Sequence, residues 1–295
     1  MFVRLAHLFC NYEGKAKLSK RPVLVTLAYS HYVEFARWCL EYQGIQFYEV
    51  GLAPGQHILP TLSIRVGRSG QKHFSSSSSV SDLPDKPKIS PTSSPVMVNP
   101  DGSVDRDSWE IAARSKLLPA DPELKVLIDQ EFGPLTRQWA YFFFLKSENV
   151  HIFDSLCTDE RHWLWRTIYF FGFGSYLKSL MVKMFKSNDK EAFEECNRKL
   201  EVVVEKLSSV LRSRKGKFLG GDCLGQADIS IAALAAAIVF PDLFAKGFMA
   251  PYAAQLSSKD KDFAEGIEKW RKTEVGEYCL ELYSKYRLAS ISSNS

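Results

Sequence analysis

Residues 23–38 restrict the fold most, because a buried strand passes directly into an amphipathic helix there. The stretch opens with a short apolar, β-branched run, which is typical of a buried strand. The spacing then changes, and Val33, Ala36 and Leu40 fall on one face of a helix. Ser30 lies at the change and is a natural N-cap. Since the unpaired N–H groups of a first helical turn favour negative charge, Ser30 could cap the helix, bind a thiolate, or do both in turn.

A second strand and an irregular insertion follow. Gly44 can end the helix in the left-handed conformation, and residues 45–50 have the pattern of a strand. A β-α-β unit of this kind implies parallel neighbouring strands. Residues 66–93 then combine an unbroken serine run with several prolines. Because this composition cannot bury a core, it predicts a flexible surface insertion.

A hairpin and a helix start complete the first predicted domain. Residues 96–98 and 103–104 are short apolar runs on either side of a strong Asp-Gly turn signal. Residues 105–108 then offer helix N-caps. The first domain, residues 22–118, is therefore predicted to follow the order β-α-β, insertion, β-β-α.

Strand patterns end at about residue 121, and helical patterns fill the rest of the chain. The predicted fold class is a small α/β domain followed by an all-α domain over residues 119–295. The predicted helices cover residues 122–145, with a kink at Gly133-Pro134, and residues 159–185, 189–212, 227–240 and 274–287.

Composition excludes several classes of function. The net charge of +4, from 38 basic and 34 acidic residues, is too small to indicate nucleic-acid binding. The 6 cysteines are scattered and form no C-x-x-C pair, so neither a disulfide framework nor a zinc site is expected. Free thiols in a reducing compartment are the expectation that follows.

Two segments provide information on membrane contact and on the cellular compartment. Residues 162–185 are rich in aromatic side chains but contain Arg166, Lys178 and Lys183, so they are expected to form a buried helix; a peripheral membrane contact stays open. Residues 1–21 carry a basic bias that weakly resembles an organellar transit peptide, but they are poor in Ser and Arg. A disordered N-terminal extension and a cytoplasmic protein are therefore expected, with an organelle as the alternative.

Three motifs, in this order, resemble the glutathione transferase superfamily, and the resemblance covers roughly residues 22–287. Residues 29–38 resemble the S-P-x-x-x-x-(A/V)-R segment that opens its first helix. Residues 94–112 resemble its cis-proline loop, hairpin and acidic-Ser helix start. Residues 218–229 resemble its F-L-x-G-D-x-(L/P)-(T/S)-x-A-D motif. The resemblance implies a thioredoxin-like domain followed by a helical domain.

The chain departs from the family pattern at three places. His31 stands where the family has proline. Gly225 replaces the capping Thr or Ser of the third motif, although Asp228 can still bond to the Gly225 N–H and keep half of the capping box. The insertion falls where many members place a second helix with glutathione contacts.

The resemblance implies a site for glutathione, with no metal and no cofactor beyond glutathione as co-substrate. Ser30 would stabilise the thiolate as the catalytic residue. Tyr29, His31 and Tyr32 are the alternates; rim or packing positions are expected for the two tyrosines and a surface position for His31.

The same resemblance implies residues that hold the rest of the tripeptide. Pro95 would be cis and would expose the backbone of Ser94 to the cysteinyl amide; Pro60 and Pro91 are the competing prolines. Asp107 and Ser108 would hold the γ-glutamyl end, with a plain N-cap as the alternative.

The implied reaction is conjugation of glutathione to an apolar electrophile, or reduction of peroxides, in a detoxifying homodimer. An aromatic cluster could wall the pocket of the second substrate, although core packing is expected for most of its members. The alternative to an enzyme is a non-catalytic binding or scaffold module of the same fold, with or without a membrane contact. The cluster comprises Trp163, Trp165, Tyr169, Phe170, Phe171 and Phe173.

Overall fold

The computed structural model describes residues 12–66, 92–159 and 161–287, and the chain divides into two compact units between Lys116 and Leu117. Sequence patterns placed this boundary two residues later. The predicted flexible insertion, residues 66–93, lies almost wholly outside the described residues.

The first unit is a four-stranded mixed sheet with helices on its faces. β1 pairs with β2 in parallel and with β3 antiparallel, and β3 pairs antiparallel with β4, so the strand order is β2-β1-β3-β4. This is the predicted β-α-β and β-β-α arrangement, and the predicted fold class is confirmed. The elements are α1 (Tyr12–Ser19), β1 (Val23–Leu27), α2 (His31–Tyr42), β2 (Tyr48–Leu52), α3 (Ile58–Val66), β3 (Val96–Val98), β4 (Val104–Asp105) and α4 (Ser108–Ala113).

Strand β1 is buried because its side chains alternate between two covered faces. Val23 and Val25 pack in a cluster with Ala16 of α1 and Ile64 of α3. Leu24 points to the other face, where it packs with apolar residues of α2, β3 and α4. The continuous apolar run of this strand therefore reflects burial on both faces.

Three predictions for this unit are corrected. The N-terminal extension contains α1, which is ordered because Ala16 is fully buried against the sheet. The second strand begins at Tyr48, because the Ile45 N–H bonds back to the Leu40 carbonyl and closes the end of α2 around Gly44 (φ +66°). A helix, α3, precedes the insertion, so the insertion does not replace the region of the second helix.

The second unit is all-helical, as predicted. A π-helical turn, Leu127–Phe132, lies just before Gly133 and Pro134, where a kink was predicted; it fits the missing N–H of the proline. The helices are α5 (Pro122–Val126), α6 (Gly133–Phe144), α7 (Val150–Thr158), α8 (Trp163–Ile168), α9 (Gly174–Phe185), α10 (Lys190–Arg212), α11 (Gln226–Val239), α12 (Ala250–Lys259), α13 (Lys261–Arg271) and α14 (Glu274–Leu282).

Helix α11 forms the centre of the second unit, since all of its residues are buried. At its start the Asp228 carboxylate accepts the Gly225 N–H at 2.8 Å, which is the predicted half of the capping box. The other oxygen of Asp228 accepts the Leu219 N–H at 2.8 Å and the Tyr278 hydroxyl at 2.5 Å. Asp228 thus connects the residues before α11, the start of α11 and α14.

Packing explains why glycine occupies position 225, and the sequence alone did not reveal this reason. The Leu118 carbonyl accepts the Gln226 N–H at 2.9 Å and so satisfies one of the free donors at the start of α11. A Cβ at position 225 would lie 3.2 Å from that carbonyl oxygen. The backbone of residue 118 therefore occupies space that a capping side chain would need.

A second buried carboxylate, Asp260, joins α13 to the end of α6. Its Oδ1 accepts the Phe263 N–H at 3.1 Å, and its Oδ2 accepts from Lys146 at 2.8 Å and Asn149 at 2.9 Å. Burial alone would raise the pKa of Asp260, but these hydrogen bonds outweigh burial and lower it. Because the folded pKa lies below the unfolded value, Asp260 stabilises the fold above about pH 4 and loses this effect as the pH falls through the folded pKa.

We expect Asp260→Asn to lower the free energy of unfolding by about 1–2 kcal/mol at neutral pH, because asparagine keeps the cap but removes the charge. The difference from wild type should shrink as the pH falls through the folded pKa of Asp260, because the wild-type carboxyl then becomes neutral too. Urea denaturation followed by circular dichroism at neutral and at acid pH measures it. Asp242→Asn is the matched control, since Asp242 is an exposed carboxylate of the same unit. A difference that persists unchanged in acid would contradict the proposed role of the charge.

Candidate functional site

Three chain segments meet at one end of the sheet in the first unit. Because β3 runs antiparallel to β1, β3 begins beside the end of β1. β4 runs antiparallel to β3 and ends beside the start of β3, where Asp105 pairs with Met97. The predicted site residues lie on the three segments that adjoin these strand ends: residues 28–32 after β1, residues 94–95 before β3 and residues 106–108 after β4.

Ser30 is fixed by its backbone and not by its side chain. It occupies the N-cap position of α2 with an extended backbone (φ −70°, ψ 129°). Its N–H bonds to the Leu27 carbonyl at 2.8 Å, and its carbonyl accepts the Glu34 N–H at 2.9 Å. The half-buried hydroxyl makes no capping hydrogen bond to the first turn of α2. Ser30 therefore does not cap α2 with its side chain, which was one of the roles considered for it.

Arg37 anchors the loop that carries Ser30. Its Nη2 donates to the Ala28 carbonyl at 3.3 Å and to Glu49 at 2.5 Å, and its Nη1 donates to Glu34 at 2.7 Å. Burial opposes the charge, but the carboxylates of Glu49 and Glu34 outweigh it and raise the pKa of Arg37. The loop between β1 and α2 is thus bonded to a permanent buried cation.

The residues beside Ser30 are more enclosed than the sequence suggested. Tyr29 is buried and Tyr32 is half-buried. His31 is only 4% exposed and its ring lies 4.6 Å from that of Tyr32, so the predicted surface position of His31 is wrong. The reason is that α2 is buried on nearly all sides, including its first turn.

The segment before β3 is bonded to the end of β1. The Ser94–Pro95 peptide bond is cis, which agrees with the choice of Pro95 over Pro60. The Ser94 hydroxyl accepts the Leu27 N–H at 2.9 Å and donates to the Val25 carbonyl at 3.4 Å. The side chain of Ser94 therefore continues the pairing of the two strands, and its backbone is the part that could meet a ligand.

Asp107 is the N-cap of α4, which is the structural alternative to a role in binding. Its Oδ1 accepts the Glu110 N–H at 2.8 Å, while Glu110 accepts the Arg106 N–H at 2.7 Å. Asp107 remains half-buried, whereas Ser108 is only 3% exposed. Capping occupies one carboxylate oxygen of Asp107 and leaves the other oxygen without a part in the cap.

Arg65 of α3 connects two of these segments, and sequence reasoning missed it. Its guanidinium donates to the carbonyls of Ser93, Pro95 and Arg106, which flank the two segments predicted to hold glutathione. Burial lowers the pKa of Arg65 to about 10, against the opposing effect of Asp107, so the group stays charged at neutral pH. Its only sequence signal is a cation inside an apolar helical stretch.

The described residues include five free cysteines, of which Cys223 is exposed and the other four are buried. Cys39, the one in α2, is fully buried. Among residues 12–66, 92–159 and 161–287, no three His, Cys, Asp or Glu side chains are grouped so that they could hold a metal ion.

The aromatic cluster of the second unit does not form the predicted core. Tyr169 is buried, but Trp163, Phe170 and Phe171 are exposed. The expectation of core packing is therefore wrong for these three residues. In contrast, Trp139, Phe143 and Phe144 of α6 are buried.

Comparison with known proteins gave matches only among solved structures. No family model matches the chain, and no curated protein matches it. A glutathione transferase from Methylobacillus flagellatus with glutathione bound is 13% identical, over 88% of this chain and 98% of that chain, with a TM-score of 0.41. One from Phanerochaete chrysosporium, in complex with oxidized glutathione, is 14% identical over 91% and 99%, with a TM-score of 0.45. One from Pseudomonas putida, with glutathione disulfide bound, is 14% identical over 91% and 94%, with a TM-score of 0.44.

The three solved structures named here are thus glutathione transferases. At such identities and TM-scores, the fold is assigned from the strand order and connectivity of the chain itself. It is a thioredoxin-like α/β unit followed in sequence by an all-helical unit.

Proposed function

We propose that this chain binds glutathione and transfers the glutathionyl group, through its sulfur, to an apolar electrophile. The observation that carries the proposal is the meeting, at one end of the sheet, of an uncommitted Ser30 hydroxyl with the segments around Pro95 and Asp107. The motif resemblance of residues 29–38 and 94–112 supports it. These three segments offer contacts for the sulfur, the cysteinyl backbone and the γ-glutamyl end of glutathione.

Ser30 would act on the sulfur. An unperturbed thiol has a pKa of about 8.5, so a site must favour the anion to react near neutral pH. A hydroxyl that donates to sulfur favours the thiolate, and so does the N-terminal end of the twelve-residue helix α2. The thiolate would attack the electrophile and form a carbon–sulfur bond while the leaving group departs with its electron pair. With a peroxide, two glutathione molecules would instead be oxidised to the disulfide as the peroxide is reduced to alcohol and water.

The other two segments would hold the peptide. The backbone of Ser94 would pair with the cysteinyl residue in the manner of an added strand. The uncapped oxygen of Asp107 would accept from the γ-glutamyl ammonium, and the Ser108 hydroxyl would donate to the γ-glutamyl carboxylate. Arg65 would act indirectly, because it fixes the backbone on both sides of this position.

A binding or scaffold module is the second candidate. Its support is that Asp107 already caps its own helix, while a buried His31 stands where the family has proline. Such a protein would keep the fold but lack affinity for the tripeptide.

Calorimetric titration of the full chain with glutathione and with cysteinylglycine separates the two candidates. Glutathione is expected to bind at least about tenfold more tightly, because cysteinylglycine lacks the γ-glutamyl group and leaves Asp107 and Ser108 without partners. S-methylglutathione is the matched control, since it keeps both ends but has no free thiol. If no glutathione binding is detected at millimolar concentration, the chain is a non-catalytic module; if both thiols bind equally, the assignment of Asp107 and Ser108 is wrong.

A further inference from the structure

The second unit exposes an unusual set of apolar side chains along α8 and α9. Phe171 is 88% exposed and Trp163 is 66% exposed, although such side chains are normally buried. They are accompanied along the same segment by Leu164, Ile168, Phe170, Tyr176, Leu180 and Met184. We propose that this surface, the α8–α9 face, binds to the surface of a membrane that contains anionic lipids. The proposal does not depend on glutathione binding.

The α8–α9 face is presented by an anchored segment. The Tyr169 hydroxyl donates to Asp154 of α7 at 2.7 Å, and Lys178 bonds to the same carboxylate at 2.7 Å. The Trp165 indole N–H donates to the Cys157 carbonyl at 3.0 Å. Leu177 and Met181 of α9 are buried on the inner side. The exposed aromatic residues therefore lie on the outer side of helices that are held in place.

A break in the segment brings two exposed aromatic residues to a corner. Gly172 has φ +117° and Phe171 is non-helical, so α8 and α9 do not form one continuous helix. Phe170 and Phe171 lie directly at this break. Two adjacent aromatic side chains at a corner can enter the interfacial layer of a bilayer, where aromatic rings are favoured.

The charge of the α8–α9 face indicates which kind of surface it binds. Residues 161–186 contain five basic residues and no Asp or Glu, so the segment is uniformly positive. Lys178 is bonded to Asp154, but Arg166, Lys183 and Lys186 are exposed. Exposed aromatic side chains beside exposed cations are the composition of helices that lie in an anionic membrane interface. A second copy of the same face would bring like charges together, which disfavours self-association through it.

Binding would be peripheral. In the part of the chain that the structure describes, no helix is long and apolar enough to cross a bilayer. α8 and α9 have 6 and 12 residues, and both carry basic side chains. A short, kinked, basic and aromatic segment suits attachment along the surface of a leaflet.

Co-sedimentation of the full chain with lipid vesicles tests the proposal. Vesicles with roughly 30% phosphatidylserine in phosphatidylcholine should bind the chain at low salt, pure phosphatidylcholine should bind it at least about tenfold less, and about 0.5 M salt should weaken binding to the anionic vesicles. The double variant Phe170→Ser/Phe171→Ser should lower the partition coefficient at least about tenfold through lost apolar burial. The double variant Lys183→Gln/Lys186→Gln should lower it about 25-fold, or roughly fivefold per charge.

Matched variants on α10 control for general effects. Val202→Ser removes a similarly exposed apolar side chain, and Arg198→Gln/Lys199→Gln removes two exposed charges. Both should bind vesicles as the wild type does. Because all the altered side chains are exposed, circular dichroism should show unchanged melting.

Three results would overturn the proposal: no binding to anionic vesicles at low salt, equal binding to neutral vesicles, or binding that the α8–α9 variants leave unchanged. A concentration-dependent dimer that Phe170→Ser/Phe171→Ser converts to monomer, without any vesicle binding, would assign the face to a second copy instead. Loss of glutathione binding would leave this proposal intact, and loss of vesicle binding would leave the glutathione site intact.

Discussion

Replacing Ser30 with alanine is expected to reduce glutathione conjugation by up to about 50-fold near pH 6.5 while leaving the fold unchanged. If Ser30 lowers the thiol pKa from about 8.5 to about 6.5, half of the bound thiol is thiolate in wild type at that pH and only about 1% in the variant. Any share of the shift that comes from the start of α2 is kept in the variant and makes the loss smaller. The loss should therefore be in the rate of the chemical step, with little change in glutathione affinity.

The pH profile distinguishes this role from a structural one. In the variant the rate should rise through a midpoint about two pH units higher, and near pH 9 it should approach the wild-type rate, because the unassisted thiol then ionises. Ser30→Thr keeps a hydroxyl and should recover much of the activity. Tyr29→Phe and Tyr32→Phe are the matched tests of the alternate donors, since each removes only a hydroxyl. The measurement is the initial rate of conjugation of a chromogenic aromatic electrophile at several pH values.

Stability provides an independent check on Ser30. Its hydroxyl makes no capping hydrogen bond, so alanine should change the free energy of unfolding by less than about 0.5 kcal/mol. A true side-chain cap would cost about 1 kcal/mol. An unchanged pH profile together with a loss of about 1 kcal/mol would show that Ser30 only begins the helix.

Local patterns predicted the parts of the first unit that local forces decide. The passage from β1 to α2 was predictable because the period of the apolar side chains changes from two to 3.6 residues within a short stretch. This change occurs between Val23–Leu27 and the helix that follows. The hairpin was predictable from its Asp-Gly turn. Helix α3 was not, because Pro60, Thr61 and Ile64 are poor helix formers in isolation. Its stability comes from packing, which includes the burial of Ile64 against β1.

The candidate site, too, could be predicted only where local sequence decides the structure. The candidate residues could be placed on three segments by their motifs, but their mutual support could not be inferred. Arg65 bonds to carbonyls 28, 30 and 41 residues away, and sequence gives no signal for such distant backbone contacts. His31 and Phe171 were each assigned to the wrong environment, because polarity predicts burial only on average and tertiary packing decides each case.

The largest effect on stability is expected at Asp228. Asp228→Ala should lower the free energy of unfolding of the helical unit by about 3–5 kcal/mol, because it leaves two backbone N–H groups and the Tyr278 hydroxyl without their common acceptor. Asp228→Asn should cost less, since its amide oxygen can still accept one or two of these bonds. Asp222→Ala is the matched control, because Asp222 is exposed in the adjoining loop. Urea denaturation followed by circular dichroism measures each difference.

A double-mutant cycle separates the hydroxyl from the backbone donors. Burial and the Asp228 carboxylate raise the pKa of Tyr278, so this phenol remains a hydrogen-bond donor at neutral pH. Tyr278→Phe removes that donor. In the Tyr278→Phe background, Asp228→Ala should therefore lower the free energy of unfolding by about 1 kcal/mol less than it does in the wild type. Strict additivity would mean that Tyr278 finds another acceptor.

The rest of the lost unfolding free energy comes from the Gly225 and Leu219 N–H groups. Gly225→Ser should not recover it, because a side chain at that position meets the Leu118 carbonyl that already satisfies the start of α11.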